Sequence, residues 1–386
     1  MSNKIKSQEL LVRDPKPDAH FGQSIAVDND TLLVGAPGKE NGVLSGAVYV
    51  FIRDAAGDWV QRDKLLASLP KGDDRFGRAV AVDGDTAFVG ARGAAYVFTR
   101  DETGRWNEQQ ELASSSGIQD SHFGSSLAVD DDTAVVGARH KWAPHLNPVA
   151  VAYVYTRDGD GIWSMQQELF MAARDYYQEL GHSVAVDGDT VVIGVPAVPV
   201  AEGDSFPGEV RTFVRDGTGN WIGQAESLRP KDQIYGRFGE SVAVDGDTLL
   251  VGAPSLAQAS AVYVFSRDGT GNWSDERKLE GSSVAAKTYF GYSVALIGDV
   301  ALIGAKFEEN TGSASLFTRE SGKWNEYEKL LASGLSNHDY FGGSVALGRD
   351  TALIGATGAE DNSGSAYVFD LRPDMLAAPT QLSITT

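Results

Sequence analysis

Residues 21–51 read FGQSIAVDNDTLLVGAPGKENGVLSGAVYVF, and variants of this phrase return six more times along the chain. The opening pair stands at Phe21-Gly22, Phe76-Gly77, Phe123-Gly124, Leu180-Gly181, Phe238-Gly239, Phe290-Gly291 and Phe341-Gly342. Copies recur about every 53 residues, a period typical of stacked or ring-closed repeats. Within a copy, SIAVD alternates small and branched side chains, which is strand periodicity. DND or DGD then makes a turn, Asp-Gly being a strong two-residue hairpin signal. TLLVGA is apolar on both faces, as in a strand covered on both sides. GAVYVF follows as a third strand. A turn of the form RDGTGNW leads into a fourth, of the type QELAS.

Four antiparallel strands repeated seven times, with no helical period, predict an all-β fold: a seven-bladed β-propeller. Length alone, 386 residues, suggests two or three domains, but seven copies of one unit make one. Residues 5–370 are therefore expected to form a single propeller, its units starting near 21, 76, 123, 180, 238, 290 and 341. Residues 371–386 are expected to be a tail or linker running into a larger chain. Ala recurs in every inner strand (Ala26, Ala81, Ala128, Ala185, Ala243, Ala295, Ala346), with Ser two positions earlier in six copies. Small residues suit strands crowded round an axis. The large neighbours, such as Val80 and Val242, are expected to pack on the next blade. The last copy ends at SAYVFD with no fourth strand, whereas IKSQELLVRD precedes the first Phe-Gly. Residues 5–13 are thus expected to close the ring as the outer strand of the last blade, burying Leu10 and Leu11.

The net charge is −20, which opposes binding to phosphate backbones or anionic lipid. No apolar run approaches the length of a membrane-spanning helix. MSNKIKSQELLV lacks the apolar stretch of a signal peptide. With no Cys, disulfides, thiolate metal sites and cysteine nucleophiles are excluded.

The run FG-x-S-V-A-V-D-G-D-T-L-L-V-G-A-P followed by G-A-V-Y-V-F resembles the FG-GAP repeat, over nearly the whole chain. That repeat builds the seven-bladed propeller of integrin α subunits and occurs in bacterial surface proteins. The resemblance implies a binding or adhesion module at the cell surface or outside the cell. In integrin-like propellers several first hairpins are expanded into calcium loops. Here the matching turns, among them Asp28-Asn29-Asp30 and Asp130-Asp131-Asp132, are short, and Ca²⁺ needs six to eight oxygens. No metal or other cofactor is expected. Asp28, Asp30, Asp130 and Asp132 remain weak calcium candidates, with an Asx turn the favoured reading.

In a propeller, the DGD and RDGTGNW turns share one face and are uniform. The loops between the second and third strands and between blades share the other face, and they diverge. Binding residues usually ride on such loops. The residue after Phe-Gly varies sharply and starts the inner strand, so Gln23, Arg78, His182, Glu240 and Tyr292 are ligand-binding candidates. Arg75 and Arg237, just before the pair, join them. Trp142, Tyr176, Tyr177 and Tyr235 are candidate aromatic anchors. No nucleophile elbow, zinc-protease helix or phosphate-cradling loop occurs, so no catalytic residue is assigned and a non-enzymatic role is expected. The expected partner is a protein or glycan, bound by a monomeric propeller. Two alternatives remain open: a lectin with sugar sites between blades, or a glycan-active enzyme with one site at the channel mouth.

Overall fold

A computed structural model describes residues 5–40, 42, 44–69, 72–114, 122–141, 149–171, 179–196, 208–231, 236–255, 260–282 and 288–371. Each repeat becomes one antiparallel sheet. In blade 1, Ser24–Asp28, Thr31–Ala36, Ala47–Arg53 and Trp59–Leu65 lie side by side in chain order. Blades 2 to 6 repeat the plan. The inner strand of each blade touches that of the next, and Phe341–Gly348 of blade 7 touches Ser24–Asp28 again. This is a ring of seven blades. Among the described residues, the helical elements are single turns at Glu308–Asn310 and Ala359–Asn362.

The N-terminal strand closes the ring. Ser7–Glu9 pairs antiparallel with Ser365–Asp370, placing Ser7 opposite Phe369 and Glu9 opposite Tyr367. The Leu10 N–H donates to the Ala366 carbonyl at 2.8 Å, and the Asp370 N–H donates to the Lys6 carbonyl at 2.9 Å. The strand is shorter than the expected 5–13. Leu10 is buried as expected, but Leu11 is 75% exposed. The ladder ends at Leu10, so Leu11 has no sheet to lie on, and Ile5 supplies the second buried anchor instead.

The hydrophobic core is divided among the seven gaps between blades. Between blades 1 and 2, Leu33, Val48 and Val50 meet Phe76, Val80 and Val89. At the closure, Leu353 and Val368 meet Phe21, Leu32 and Val34. The branched residues of the inner strand pack on the preceding blade, not the next: Val80 lies with blade 1 and Val242 with Val192 and Val210 of blade 4. The Ala face of the strand meets the next blade, as with Ala81.

Two polar locks supplement this packing. At one end of the blades, the inner-strand Ser hydroxyl donates to the carbonyl of the next blade's Phe-Gly glycine. Ser24 reaches Gly77 at 2.7 Å, Ser241 reaches Gly291 at 2.9 Å, and Ser344 reaches Gly22 at 2.6 Å across the closure. The backbones meet so closely that a Cβ on Gly355 would lie 2.1 Å from the Gly22 oxygen. At the other end, each Arg of the RD turns lies over the Trp that follows it, as Arg157 does over Trp163 at 5.4 Å. Arg157 also binds Asp132 at 2.7 Å and reaches back to Thr86 of blade 2 at 2.9 Å.

The calcium candidates are engaged in this second lock. Asp28 accepts the Gly84 N–H of the next blade's turn at 2.8 Å, and Asp130 accepts that of Gly188 at 2.6 Å. Asp132 holds Arg157, and Asp30 lies 3.9 Å from Arg53. The Asp of each RDGTGNW turn caps its own loop. Asp216, for example, accepts the N–H groups of Thr218 and Asn220 at 2.8 and 3.0 Å.

Two changes test the closure. Deleting residues 1–13 removes about five ladder bonds at roughly 1 kcal/mol each plus the burial of Ile5 and Leu10. Cooperative thermal unfolding should be lost or strongly lowered, and an unchanged melting curve would refute the strand's role. Gly355→Ala drives a Cβ into backbone and should cost about 3 kcal/mol or more, read as a lowered urea midpoint.

Candidate functional site at the axial mouth

The Phe-Gly pair occupies the centre of a four-residue turn. The N–H of Arg78 donates to the carbonyl of Arg75 at 3.1 Å, Glu240 to Arg237 at 2.9 Å and Tyr292 to Tyr289 at 3.0 Å. The third turn residue has positive φ, +88° at Gly77, which is the geometry that demands glycine in a type II turn. The consequence is positional. The residues before and after the pair, three apart in sequence, are delivered to the same end of the blade. The inner strand pairs Ser24 with Gly35 of the second strand, so the residue after each Gly-Ala ends at the same rim. Pro occupies that place in blades 1, 4 and 5. Elsewhere it is Arg92, Arg139, Lys306 or Thr357.

Blades 3, 4 and 5 join their charges at this rim. Glu179 receives Arg139 at 2.9 Å through Oε1 and Arg237 at 2.8 Å through Oε2. Arg237 also holds Glu240 at 2.6 Å. The imidazole of His182 bridges the two carboxylates, Nδ1 lying 3.1 Å from Glu179 and Nε2 3.5 Å from Glu240. Nδ1 is buried, with the Glu179 carboxylate as its near neighbour. A short antiparallel pairing of His140–Lys141 with Glu179–Leu180 fixes the backbone of Glu179 beside blade 3.

These contacts set the protonation states. Burial pushes the Glu179 carboxyl up, but His182, Arg139 and Arg237 outweigh it and bring it down to about 2. Burial likewise opposes the charge on Glu240, and His182 and Arg237 hold it low. Burial pushes His182 down, yet its two carboxylate neighbours keep it raised. On blade 6, burial dominates: Tyr292 is pushed up to about 12 and Lys306 down to about 8. The Lys306 ammonium lies 3.2 Å from the ring centre of Tyr292. Tyr289, Phe307 and Tyr340 extend an edge-to-face aromatic strip from there towards blade 7, with centroids 4.9 and 5.3 Å apart.

Among the sequence-derived candidates, His182, Glu240 and Arg237 are thus in direct contact. Arg78 and Tyr292 stand at the same rim without joining that cluster. Arg75 is exposed and binds Asp73 at 3.1 Å, and Gln23 is exposed. Trp142, Tyr176, Tyr177 and Tyr235 lie outside the described residues. Sequence reading did not single out Arg92, Arg139 or Lys306. Their signal was the loss of Pro after Gly-Ala, which puts a cation where the motif has an inert ring. Among the described residues, no three His, Asp or Glu side chains gather as a metal-ligand set.

Fold and site together define a β-propeller with one uniform, interlocked face and one diversified mouth. The FG-GAP repeat matches residues 6–51, 59–100, 106–155, 225–265, 273–317 and 324–369, and the chain belongs to that family. Most matched segments start at an outer strand and cross into the next blade, as the ring closure does. Similar solved structures include a protein from Lactobacillus plantarum (17% identity, TM-score 0.53, covering 80% of this chain and 84% of that one). A putative 6-phosphogluconolactonase from Bacteroides uniformis matches at 10% identity and TM-score 0.53, covering 81% and 86%. Virginiamycin B lyase from Staphylococcus aureus matches at 10% identity and TM-score 0.52, covering 96% and 99%. At these identities the likeness is one of fold.

The charge cluster makes stability pH-dependent in a defined window. His182 is raised above its unfolded value of about 6.5. Its contribution is therefore complete below that pH and is lost as pH rises through the folded pKa. Glu179 is depressed from 4.5 to about 2, so its contribution is present above 4.5 and lost as pH falls towards 2. The cluster is intact between these limits. Melting temperature followed from pH 5 to 9 should fall on the alkaline side, and His182→Gln should remove that component. An identical alkaline decline in the variant would show that His182 is not its source.

Proposed function

We propose that the protein is a non-enzymatic binding module that presents its axial mouth to a protein or glycan ligand. The observation that carries this reading is the contrast between the two faces. One end of blades 1 to 6 repeats an Arg stacked on the following Trp and paired with turn Asp residues. The other end places different charged and aromatic residues at three equivalent positions on a rigid ring. Rigid presentation lowers the ordering cost of binding, and Arg and Tyr are the side chains that most often dominate interfaces. The FG-GAP family membership supports the same reading.

A second reading, a glycan-active enzyme at the mouth, is favoured by one observation: Lys306, with its depressed pKa, stands beside an aromatic strip and in the field of Glu240. A glycan array with and without Ca²⁺, run beside a hydrolysis assay on every bound glycan, separates the two. Retention without turnover, weakened at least tenfold by Tyr340→Ala, is the expected outcome. Turnover abolished by Lys306→Met would replace the binding reading with the enzymatic one.

A further inference from the structure

The three rim positions reverse the sign of the protein. At the three rim positions of the seven blades stand six fixed cations, Arg75, Arg78, Arg92, Arg139, Arg237 and Lys306, against two carboxylates, Glu179 and Glu240. The chain as a whole carries −20. Four of the six cations belong to blades 2 and 3.

Their partners are unevenly shared. Arg75 and Arg92 both lean on Asp73. Arg139 is held by Glu179. Among the described residues, Arg78 makes no side-chain hydrogen bond or ion pair. It is half-buried, and its guanidinium nitrogens are still reachable by solvent. Burial and the neighbouring charges of Arg139, Arg75 and Arg92 bring its pKa down to about 10. At neutral pH it nonetheless stays charged, in the field of three like charges.

The backbone holds this arrangement in place. The Arg78 N–H bonds the Arg75 and Gly90 carbonyls at 3.1 and 3.3 Å. The Arg92 N–H bonds the Asp74 carbonyl at 2.7 Å, and the Arg139 N–H bonds the Ser125 hydroxyl at 3.2 Å. Ser125 is blade 3's equivalent of Arg78. A buried charge without a partner opposes folding, so a half-buried arginine with no ion pair, at a rim shared with three other arginines, is a place where an anion is missing.

We propose that blades 2 and 3 form an anion-binding site at the axial mouth, in which Arg78, assisted by Arg92, Arg139 and Arg75, takes an oxyanion group: a sulfate, phosphate or carboxylate. The planar guanidinium presents paired donors matched to such oxygens. The net negative charge of the remaining surface is damped beyond about 8–10 Å at physiological salt, so the local positive field decides. The site deepens the binding reading by giving the ligand an acidic group, and Arg78 is its anchor.

The test uses the intact protein and simple ions. Sodium sulfate, phosphate and acetate are titrated separately into wild type and Arg78→Gln, with sodium chloride at matched ionic strength as reference, and melting temperature is read. Wild type should show a saturable rise over chloride, about 3 °C at a hundredfold excess over Kd. Acetate against sulfate and phosphate tells a carboxylate from a tetrahedral anion. Arg78→Gln should lose the saturable rise and, without added oxyanion, melt no lower than wild type, because it removes an unpaired charge. A wild-type response no greater than chloride's, an undiminished response in the variant, or a variant that melts lower in chloride alone would each overturn the proposal. Isothermal titration of sulfate supplies a second readout free of salting-out effects. A failed glycan array with a positive ion titration would sink a glycan as the ligand and leave this site standing.

Discussion

The contact between the second-strand glycine of one blade and the Phe-Gly turn of the next is what the rest of the structure depends on. At Gly35 and Gly77 the two backbones approach so closely that no Cβ fits between them. The Ser24 hydroxyl stitches the same junction by donating to the Gly77 carbonyl. Repeated round the ring, with Ser replaced by Ala79 in blade 2, this junction sets the angle between blades. The hydrophobic clusters then fill gaps whose width is already decided. It also fixes the turns, and through them the rim residues on either side of each Phe-Gly.

The mouth and the opposite face follow from one plan with different tolerances. On the opposite face, Arg100, Arg157, Arg267 and Arg319 each link their own blade's Asp to the preceding blade's Thr while lying over the following Trp, so one change there disturbs two blades. At the mouth, the backbone and the inner-strand Ser hydroxyl carry the junction, leaving the side chains flanking Phe-Gly free to differ. That freedom is how one blade carries Glu179 and His182, the next Arg237 and Glu240, and a third Tyr289 and Tyr292, without altering the ring. Exposed ion pairs contribute little to stability. The Glu179, His182, Arg237 and Glu240 cluster is largely buried, so there the loss of a partner is costly.

Most of the architecture was legible in the chain because it is periodic. The strand alternation, the turn residues and the missing fourth segment at one end gave the blade count and the closure. What failed was local detail with no periodic signature. Leu11 looked like part of the closing strand, but its exposure depends on where the ladder stops. Val80 and its equivalents point to the preceding blade because of the handed stagger of the sheets, which sequence does not encode directly. The rim positions were legible, and the turn geometry explains why: residues three apart across Phe-Gly share one end of the blade. Which of them would pair between blades was not, since the contact of Arg237 with Glu179 depends on the rotation from one blade to the next. Arg92, Arg139 and Lys306 went unassigned because a departure from a motif looks like decay until its neighbours are seen.

The closing strand has a consequence for how the molecule comes into being. Glu9 and Tyr367, opposite one another in the sheet, are 358 positions apart. At about 5–20 residues per second on the ribosome, the first strand waits roughly 20–70 s for its partner to emerge. During that wait the nascent chain carries an unmatched strand ahead of an open arc of blades. Contacts of such long sequence separation form slowly. Until the final blade leaves the exit tunnel, cotranslational assembly yields a crescent, and the circle closes only once that blade has emerged.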